Sequence, residues 1–297
     1  MGTDTRPAAT DADASAVDRS TSDEELRGLE ASVEDVDDDS RVPADGTVHV
    51  DEADAVAVEA RDLTKRYDET LVFEELDLRV SPGEVCCLLG PSGCGKTTLL
   101  HLLAGLEQPT DGRVEIGGDP VTGPDYRWGV VFQDPLLYSW LTVRENVAIG
   151  PKLRGEEPDE AHIDELIELV GLDGFADADP ASLSGGMAQR ASLARTLAND
   201  PDVLLLDEPF SALDQLTKMQ LQDELLRIVE EIGVTTVFVT HDIDEAVYLG
   251  DRVAVMGTIP EGIRHTESIA SETRARDDEA FIAERRRLFE QLEEVGI

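Results

Sequence analysis

"EVCCLLGPSGCGKTTLLHLLAGL", Glu84 to Leu106, decides the fold. It opens on a short, nearly all-apolar run that stops at Gly90, as expected of a strand buried on both faces. From Lys96 onward it is built of helix formers. Between the two, "GPSGCGKT" satisfies the pattern G-x-x-x-x-G-K-[ST], in the strand-to-helix setting that gives the pattern its meaning. In such a loop Gly90, Gly93 and Gly95, with Pro91, Ser92 and Cys94 between them, let backbone N–H groups converge on phosphate oxygens. The helix N-terminus adds a favourable dipole. Lys96 reaches the β- and γ-phosphates, and the Thr97 hydroxyl can ligate Mg²⁺.

Outward from this loop, strands alternate with helices. "AVAVEARDLTKRY" and "TLVFEELDLRV" alternate apolar and polar residues as strands do, and "SPGE" is a turn. After the helix, "VEIGG" and "WGVVFQ" add strands. From about 141 to 199 the chain reads helical, with breaks expected at Gly150-Pro151, Pro158, Gly171 and Pro180. "DVLLLDEP" is a second buried strand, "TKMQLQDELLRIVEEIG" a helix with a glycine stop, "TTVFVTHD" a strand, "IDEAVYLG" a helix and "RVAVMG" a strand. This alternation predicts an α/β fold with a parallel-cored sheet. "DEAFIAERRRLFEQLEEVG" predicts a polar amphipathic helix near the end.

Two further stretches carry chemistry. The strand "VLLLDEP" ends in two carboxylates: Asp207 would hold Mg²⁺, usually through water, and Glu208 would polarise an attacking water. An acidic pair after an apolar run is weak alone in so acidic a chain; beside a phosphate loop it is strong. The other stretch is "LSGGMAQ", Leu183 to Gln189. A Ser-Gly-Gly turn at a helix N-terminus can receive a phosphate, yet one nucleotide needs only one cradle. Two chains packed head to tail would use both: Lys96 of one copy and Ser184 and Gly186 of the other would sandwich a nucleotide, and a two-fold pair would hold two. The bland alternative is a capped helix.

In their order and spacing these motifs resemble the nucleotide-binding subunits of ABC transporters, from about residue 56 to 260. The resemblance rests on the loop at 90–98, Gln133 in "VVFQDP", "LSGGMAQR" at 183–190, "LLLDEP" at 204–209, "SALD" at 211–214 and His241 in "VTHD". It implies a P-loop NTPase core with a mainly parallel sheet, an antiparallel β subdomain, and a helical subdomain at about 136–198 carrying the Ser-Gly-Gly motif. It implies ATP and Mg²⁺ as ligands. Gln133 would sense Mg²⁺ and the attacking water, Asp214 would link the two sites of the pair, and His241 would contact the γ-phosphate. Tyr67 would stack on adenine, Thr98 would contact the α-phosphate, and Gly185 would belong with Ser184 and Gly186 to the second cradle.

"PLLYSWLTVRENVAIG", "DEPFSALDQLTK", "THDIDEAVYLGDRVAVM" and "FIAERRRLFEQLEE" look like the ATPases of nitrate, sulfonate and taurine importers. That implies transmembrane permease subunits, an extracytoplasmic solute-binding protein, a homodimer or a paired sister ATPase, and a place on the cytoplasmic face of the membrane. Leu136, Leu137, Tyr138 and Trp140 offer a docking surface for the permease, or else core packing. "GTIPEGIRHT" departs from the Pro-Gly-Arg-Ile type turn often found near the end of the core, which loosens the substrate assignment but not the fold. A soluble ABC-type ATPase not engaged in transport is the alternative, though such chains usually carry two motif sets or a coiled-coil insert. An exporter ATPase fits the importer-like stretches less well, and a regulator without turnover would dispense with Glu208 or His241.

Charge narrows the partners. Of 297 residues 65 are acidic and 25 basic, a formal net charge of −40. Nucleic acid calls for basic patches, so none is expected as a partner. Residues 1–55 carry 17 acidic and four basic side chains and no aromatic ring, and read as an acidic disordered tail, either an interaction arm or a solvated segment. Without them the charge is still −27. A domain this acidic repels itself in dilute buffer, whereas molar salt shortens the Debye length to ~3 Å. With only four lysines (Lys65, Lys96, Lys152 and Lys218) the composition resembles that of salt-in halophilic proteins. Cys86, Cys87 and Cys94 suit neither a zinc site nor a disulfide framework and imply a reduced compartment. No window reaches the ~20 apolar residues of a membrane span or reads as a signal peptide.

Overall fold

The computed structural model of the chain describes residues 55–211, 213–270 and 274–295. The acidic tail expected over 1–55 lies outside these residues but for its last position, and Ala212 of the Ser211–Asp214 stretch is also outside them.

The run read as a doubly buried strand is β3 (Val85–Leu89), buried at every position. It lies inside a six-stranded sheet of order β10-β9-β3-β8-β7-β6, with β6 (Trp128–Val131), β7 (Val203–Asp207), β8 (Thr235–Thr240), β9 (Arg252–Met256) and β10 (Ile263–Ser268). β9, β3, β8, β7 and β6 run parallel, and β10 closes one edge antiparallel to β9. Side chains of the buried strands alternate between two cores, as the two-residue period of a strand requires. Cys86, Leu88, Leu205 and Val239 enter one core, which also takes the inner face of α1 (Lys96–Leu103). A second, four-stranded antiparallel sheet covers that core, with order β2-β1-β4-β5: β1 (Val58–Tyr67), β2 (Thr70–Val80), β4 (Asp111–Ile116) and β5 (Asp119–Pro120).

Cys87, Leu89, Leu204 and Phe238 enter the other core, which is roofed by helices. Between β6 and β7 the chain forms α2 (Val143–Val147), α3 (Ile149–Leu153), α4 (Glu160–Leu169) and α5 (Gly185–Leu197). α6 (Gln215–Ile232), α7 (Ile243–Leu249) and α8 (Glu279–Glu294) complete the roof, and Phe281, Leu288 and Leu292 of α8 are buried in it.

Local chemistry sets the boundaries. Thr142 and Glu145 form a reciprocal capping box at α2, and Asp159, Ser184, Asp214 and Asp242 cap α4, α5, α6 and α7. The glycine stop after α6 is Gly233, in the left-handed conformation at φ 71°. The break expected at Gly150-Pro151 lies elsewhere: α2 and α3 part at Ala148, and Pro151 sits in the first turn of α3, where its missing N–H costs no bond. Gly150 is required for space, since a Cβ there would meet Asn199 Oδ1 at 2.0 Å. β10 follows the departing "GTIPEG" turn and went unread because its alternation is polar and only half-buried.

Candidate nucleotide site

Strand register assembles the site. Leu89 of β3 pairs with Thr240 of β8, and Val239 of β8 pairs with Asp207 of β7. Gly90, His241 and Glu208 therefore follow their strands at one carboxyl edge of the sheet, where ligands of open α/β sheets bind. Gln133 follows β6, the next strand along that edge.

The loop from Gly90 to Gly95 has the open backbone a phosphate cradle needs. Gly95 adopts φ +104°, and a Cβ on it would strike Val72 at 2.7 Å, so the position demands glycine on both counts. Lys96 is 4% exposed, and its Nζ donates to the carbonyls of Gly90 at 2.8 Å and Pro91 at 3.0 Å. The nearest carboxylate oxygen, Glu208 Oε1, is 3.9 Å from that ammonium. A buried cation held mainly by neutral carbonyls is electrostatically ready for an anion.

The two strand-end carboxylates have different surroundings. Asp207 Oδ1 accepts a hydrogen bond from the Thr97 hydroxyl at 3.1 Å. Burial holds its carboxyl above the ordinary aspartate range; the Thr97 bond opposes this, and the charge of Glu208 adds to it. Glu208 sits in the left-handed region at φ 43°. Its Oε2 lies 2.9 Å from His241 Nδ1. A non-glycine residue in that region is uncommon and marks a turn held by its surroundings. Here the Glu208 N–H donates to Val239 O at 3.1 Å.

A cavity opens over these groups. Ser92, Gly93, Gly95, Lys96, Thr97, Thr98, Gln133, Asp207 and Glu208 all line it, so most of the expected set converges. Thr70, Val72 and Ile259 complete the wall. These three were missed from sequence, and Ile259 belongs to the departing turn. His241 reaches the site through Glu208. Tyr67 is outside the wall: its hydroxyl donates to Glu107, and Lys65 Nζ is 4.6 Å from its ring centroid. Burial and the Glu107 bond raise its phenol, with Thr98 acting against them. The Cys94 thiol, beside Gly90 and 2% exposed, is pushed up chiefly by burial, with Lys96 opposing.

Ser184, Gly185, Gly186 and Asp214 do not line this cavity. They form a separate corner in which Ser184, Gly185 and Asp214 are exposed and Gly186 is buried; there Ser184 Oγ accepts from Met187 N at 3.3 Å and Asp214 Oδ1 from Thr217 N at 3.2 Å. Leu213 joins the two caps, 3.6 Å from where a Gly185 Cβ would be. The Asp214 carboxyl is held below its usual range by its bonds to Thr217. The 136–140 segment divides: Leu136 and Trp140 are 60% and 65% exposed, while Leu137 and Tyr138 are partly buried, Leu137 against the helical core. Fully buried Asn146 holds Tyr138 N at 2.8 Å and donates to Tyr138 O, Leu141 O and Thr142 O.

The profile described as ABC transporter matches residues 73–211. An aliphatic sulfonates import ATP-binding protein of Burkholderia lata is 46% identical over 238 residues, 77% of this chain and 85% of that one. This chain belongs to the ABC transporter family. A taurine import ATP-binding protein of a Jannaschia species is 44% identical over 207 residues, 67% of this chain and 77% of its own. Among solved structures, the ATP-binding cassette MJ0796, as a post-hydrolysis dimer bound to ADP and Pi, superposes with a TM-score of 0.64 at 32% identity. It covers 72% of this chain and 99% of its own. The cbiO1 subunit of a Clostridium perfringens transporter complex gives a TM-score of 0.66 at 28% identity, covering 81% and 98%. The ABC cassette fold expected from the motifs is thus the fold observed.

Proposed function

We propose that the chain is the ATP-hydrolysing subunit of an ABC importer, working as a head-to-tail pair that drives uptake of a small solute through a partner permease. The observation that carries this reading is the split between two half-sites. Lys96, Asp207 and Glu208 converge on one cavity, while Ser184, Gly185 and Asp214 stand exposed away from it, with Gly186 buried beneath them at the start of α5. A second copy brings its Ser-Gly-Gly corner onto the phosphates lying in the cavity, and Asp214 lies at the seam. Relatives named for import of taurine, aliphatic sulfonates and, in Synechococcus elongatus, bicarbonate support the importer reading and leave the solute among small molecules that carry an oxyanion group.

The residues divide the work. The Gly90–Gly95 amides and Lys96 cradle the phosphates, Thr98 meets the α-phosphate, and Tyr67 stacks on the adenine. Thr97 and Asp207 would hold Mg²⁺ with Gln133. Their adjacent hydroxyl and carboxylate are the hard oxygen donors that ion prefers, and a buried acid beside a second carboxylate calls for a cation. Bound there, Mg²⁺ would neutralise charge developing on the transferred phosphoryl group. Glu208 accepts a hydrogen bond from the attacking water, and His241, whose Nδ1 lies 2.9 Å from that carboxylate, contacts the γ-phosphate. Water adds to the γ-phosphorus as the bond to the bridging oxygen breaks, giving ADP, phosphate and a proton. Loss of the shared γ-phosphate opens the pair.

We assign residues 1–55 to a tail, 56–270 to the ATPase domain with its helical subdomain at about 136–198, and 271–297 to a C-terminal helix. No helix among the described residues is long and apolar enough to cross a membrane. Leu136 and Trp140 supply the contact with a permease, and through it the chain sits at the cytoplasmic face; an extracytoplasmic binding protein delivers the solute. The charge of −40 suits a cytoplasm rich in salt. A tagged pull-down from gently solubilised membranes in molar KCl tests the reading. A co-purifying multi-span permease supports it; recovery only from the soluble fraction, or on ribosomes, removes transport and leaves the ATPase.

A further inference from the structure

Both neighbours of His241 in sequence are pinned from the same side. Thr240 donates its hydroxyl to Glu245 and accepts the Asp242 N–H at 3.0 Å. Asp242 accepts the Asp244 N–H on Oδ1 at 2.9 Å, capping α7, and receives Lys218 Nζ on Oδ2 at 2.6 Å. The same ammonium lies 2.7 Å from Glu245 Oε1. Glu245 is 5% exposed and is held further by Gln222 Nε2 at 3.3 Å. His241 itself is 53% exposed at the side chain and meets Glu208. The imidazole is therefore aimed by its backbone, and the backbone by its two anchored neighbours.

Lys218 is the cation at the centre of these anchors. Burial disfavours its charge, but the bonds to Asp242 and Glu245 outweigh that and hold the ammonium above its usual range. Asp242 moves the opposite way: burial would raise it, and the Lys218 bonds bring it below the ordinary aspartate range. Lys218 also stands one turn into α6, with its N–H donating to Asp214 O at 2.9 Å. One residue thus joins the exposed Asp214 corner, through its backbone N–H, to the strand end that carries His241, through its ammonium. Without it, two carboxylates would face each other at the base of the His241 turn without a counter-charge.

Resting on the ATPase reading above, we propose that Lys218 is a positioning residue for hydrolysis: it sets the His241 turn through Asp242 and Glu245 and carries the state of the Asp214 corner to Glu208. It touches neither nucleotide nor phosphate, so its loss lowers kcat and leaves KM for ATP nearly unchanged.

The test is a cycle of single-turnover ATP hydrolysis on the full chain in molar KCl with wild type, Lys218→Met, His241→Ala and the double variant, alongside Lys218→Arg. The proposal expects Lys218→Met to be slower by about tenfold or more with ATP affinity intact, Lys218→Arg to recover most of the rate, and Lys218→Met to cost little further in the His241→Ala background. Equal losses in both backgrounds, or a loss shared by ATP binding, would overturn it and leave Lys218 a structural ion pair. An inactive wild type would instead sink the ATPase reading. Should Lys218→Met show no cooperative unfolding transition, Asp242→Asn decides, because the amide oxygen keeps the α7 cap while the charge partner is lost. The same selective fall in kcat supports the proposal, and an unchanged rate overturns it.

Discussion

Asp207 is a carboxyl raised by burial, with Glu208 beside it and the Thr97 hydroxyl as its hydrogen-bond donor. A raised group binds its proton more tightly folded than unfolded, so its ionised form destabilises the nucleotide-free chain once the pH exceeds the ordinary aspartate range. Asp207→Asn keeps an oxygen for Thr97 and removes the charge. It should raise the melting temperature of the free chain near neutral pH, while Mg²⁺-dependent hydrolysis falls by at least 100-fold; a lower melting temperature would show that the carboxylate is compensated in the free chain. The contiguous chemistry of this site was legible because each motif is local: six residues of loop, two at a strand end, three at a helix cap. Thr70, Val72 and Ile259 were not, because they reach the cavity wall through tertiary approach from other elements. Tyr67 was legible as an aromatic ahead of the loop, but its hydroxyl is engaged with Glu107.

At the scale of elements, α5 does more than present its N-terminal turn. Gln189 on it donates to Phe132 O at 3.0 Å, next to Gln133. Two turns on, Arg195 donates to Leu136 O at 2.7 Å and Pro135 O at 2.9 Å. Partial burial lowers the Arg195 guanidinium, so these carbonyls, with the Ser192 hydroxyl at 3.2 Å, keep a half-buried charge satisfied. Arg195→Ala should cost about 1.5–3 kcal/mol of stability, the range for hydrogen bonds to a charged group. Denaturant unfolding measures it, and a loss below about 0.5 kcal/mol would show that water replaces the side chain freely. If the exposed Leu136 and Trp140 dock the permease, the same variant uncouples transport more than it slows hydrolysis by the isolated chain. Helices and strands were legible from periodicity, including α8. β10 was not, since only Ile263, His265 and Glu267 are half-buried and two of them are polar. The break at Ala148 was not legible either, because alanine carries no stop signal.

For the whole molecule, charge dominates. A formal −40 on 297 residues gives long-range repulsion that salt screens, with a Debye length falling from ~10 Å at 0.1 M to ~3 Å at 1 M. The melting temperature should therefore climb by several degrees from 0.1 M to 2 M KCl, followed by circular dichroism. A flat or falling curve would contradict the salt-adapted reading. Local ion pairs will not mimic this effect through pH. Lys218 is raised, so its contribution stays whole below the ordinary lysine range; Asp242 is lowered, so its share is lost only in acid. Between these limits the pair is constant.

The pairing of two half-sites is the central claim, and Glu208→Gln tests it most directly. The variant keeps the cradle and the Ser-Gly-Gly corner and removes only the carboxylate that activates water. Multi-angle light scattering in molar KCl, with and without ATP and Mg²⁺, reads the assembly. The account predicts a monomer alone, a stable dimer with ATP, and no measurable turnover. A variant that binds ATP yet stays monomeric at every concentration, or that hydrolyses ATP rapidly, would contradict it.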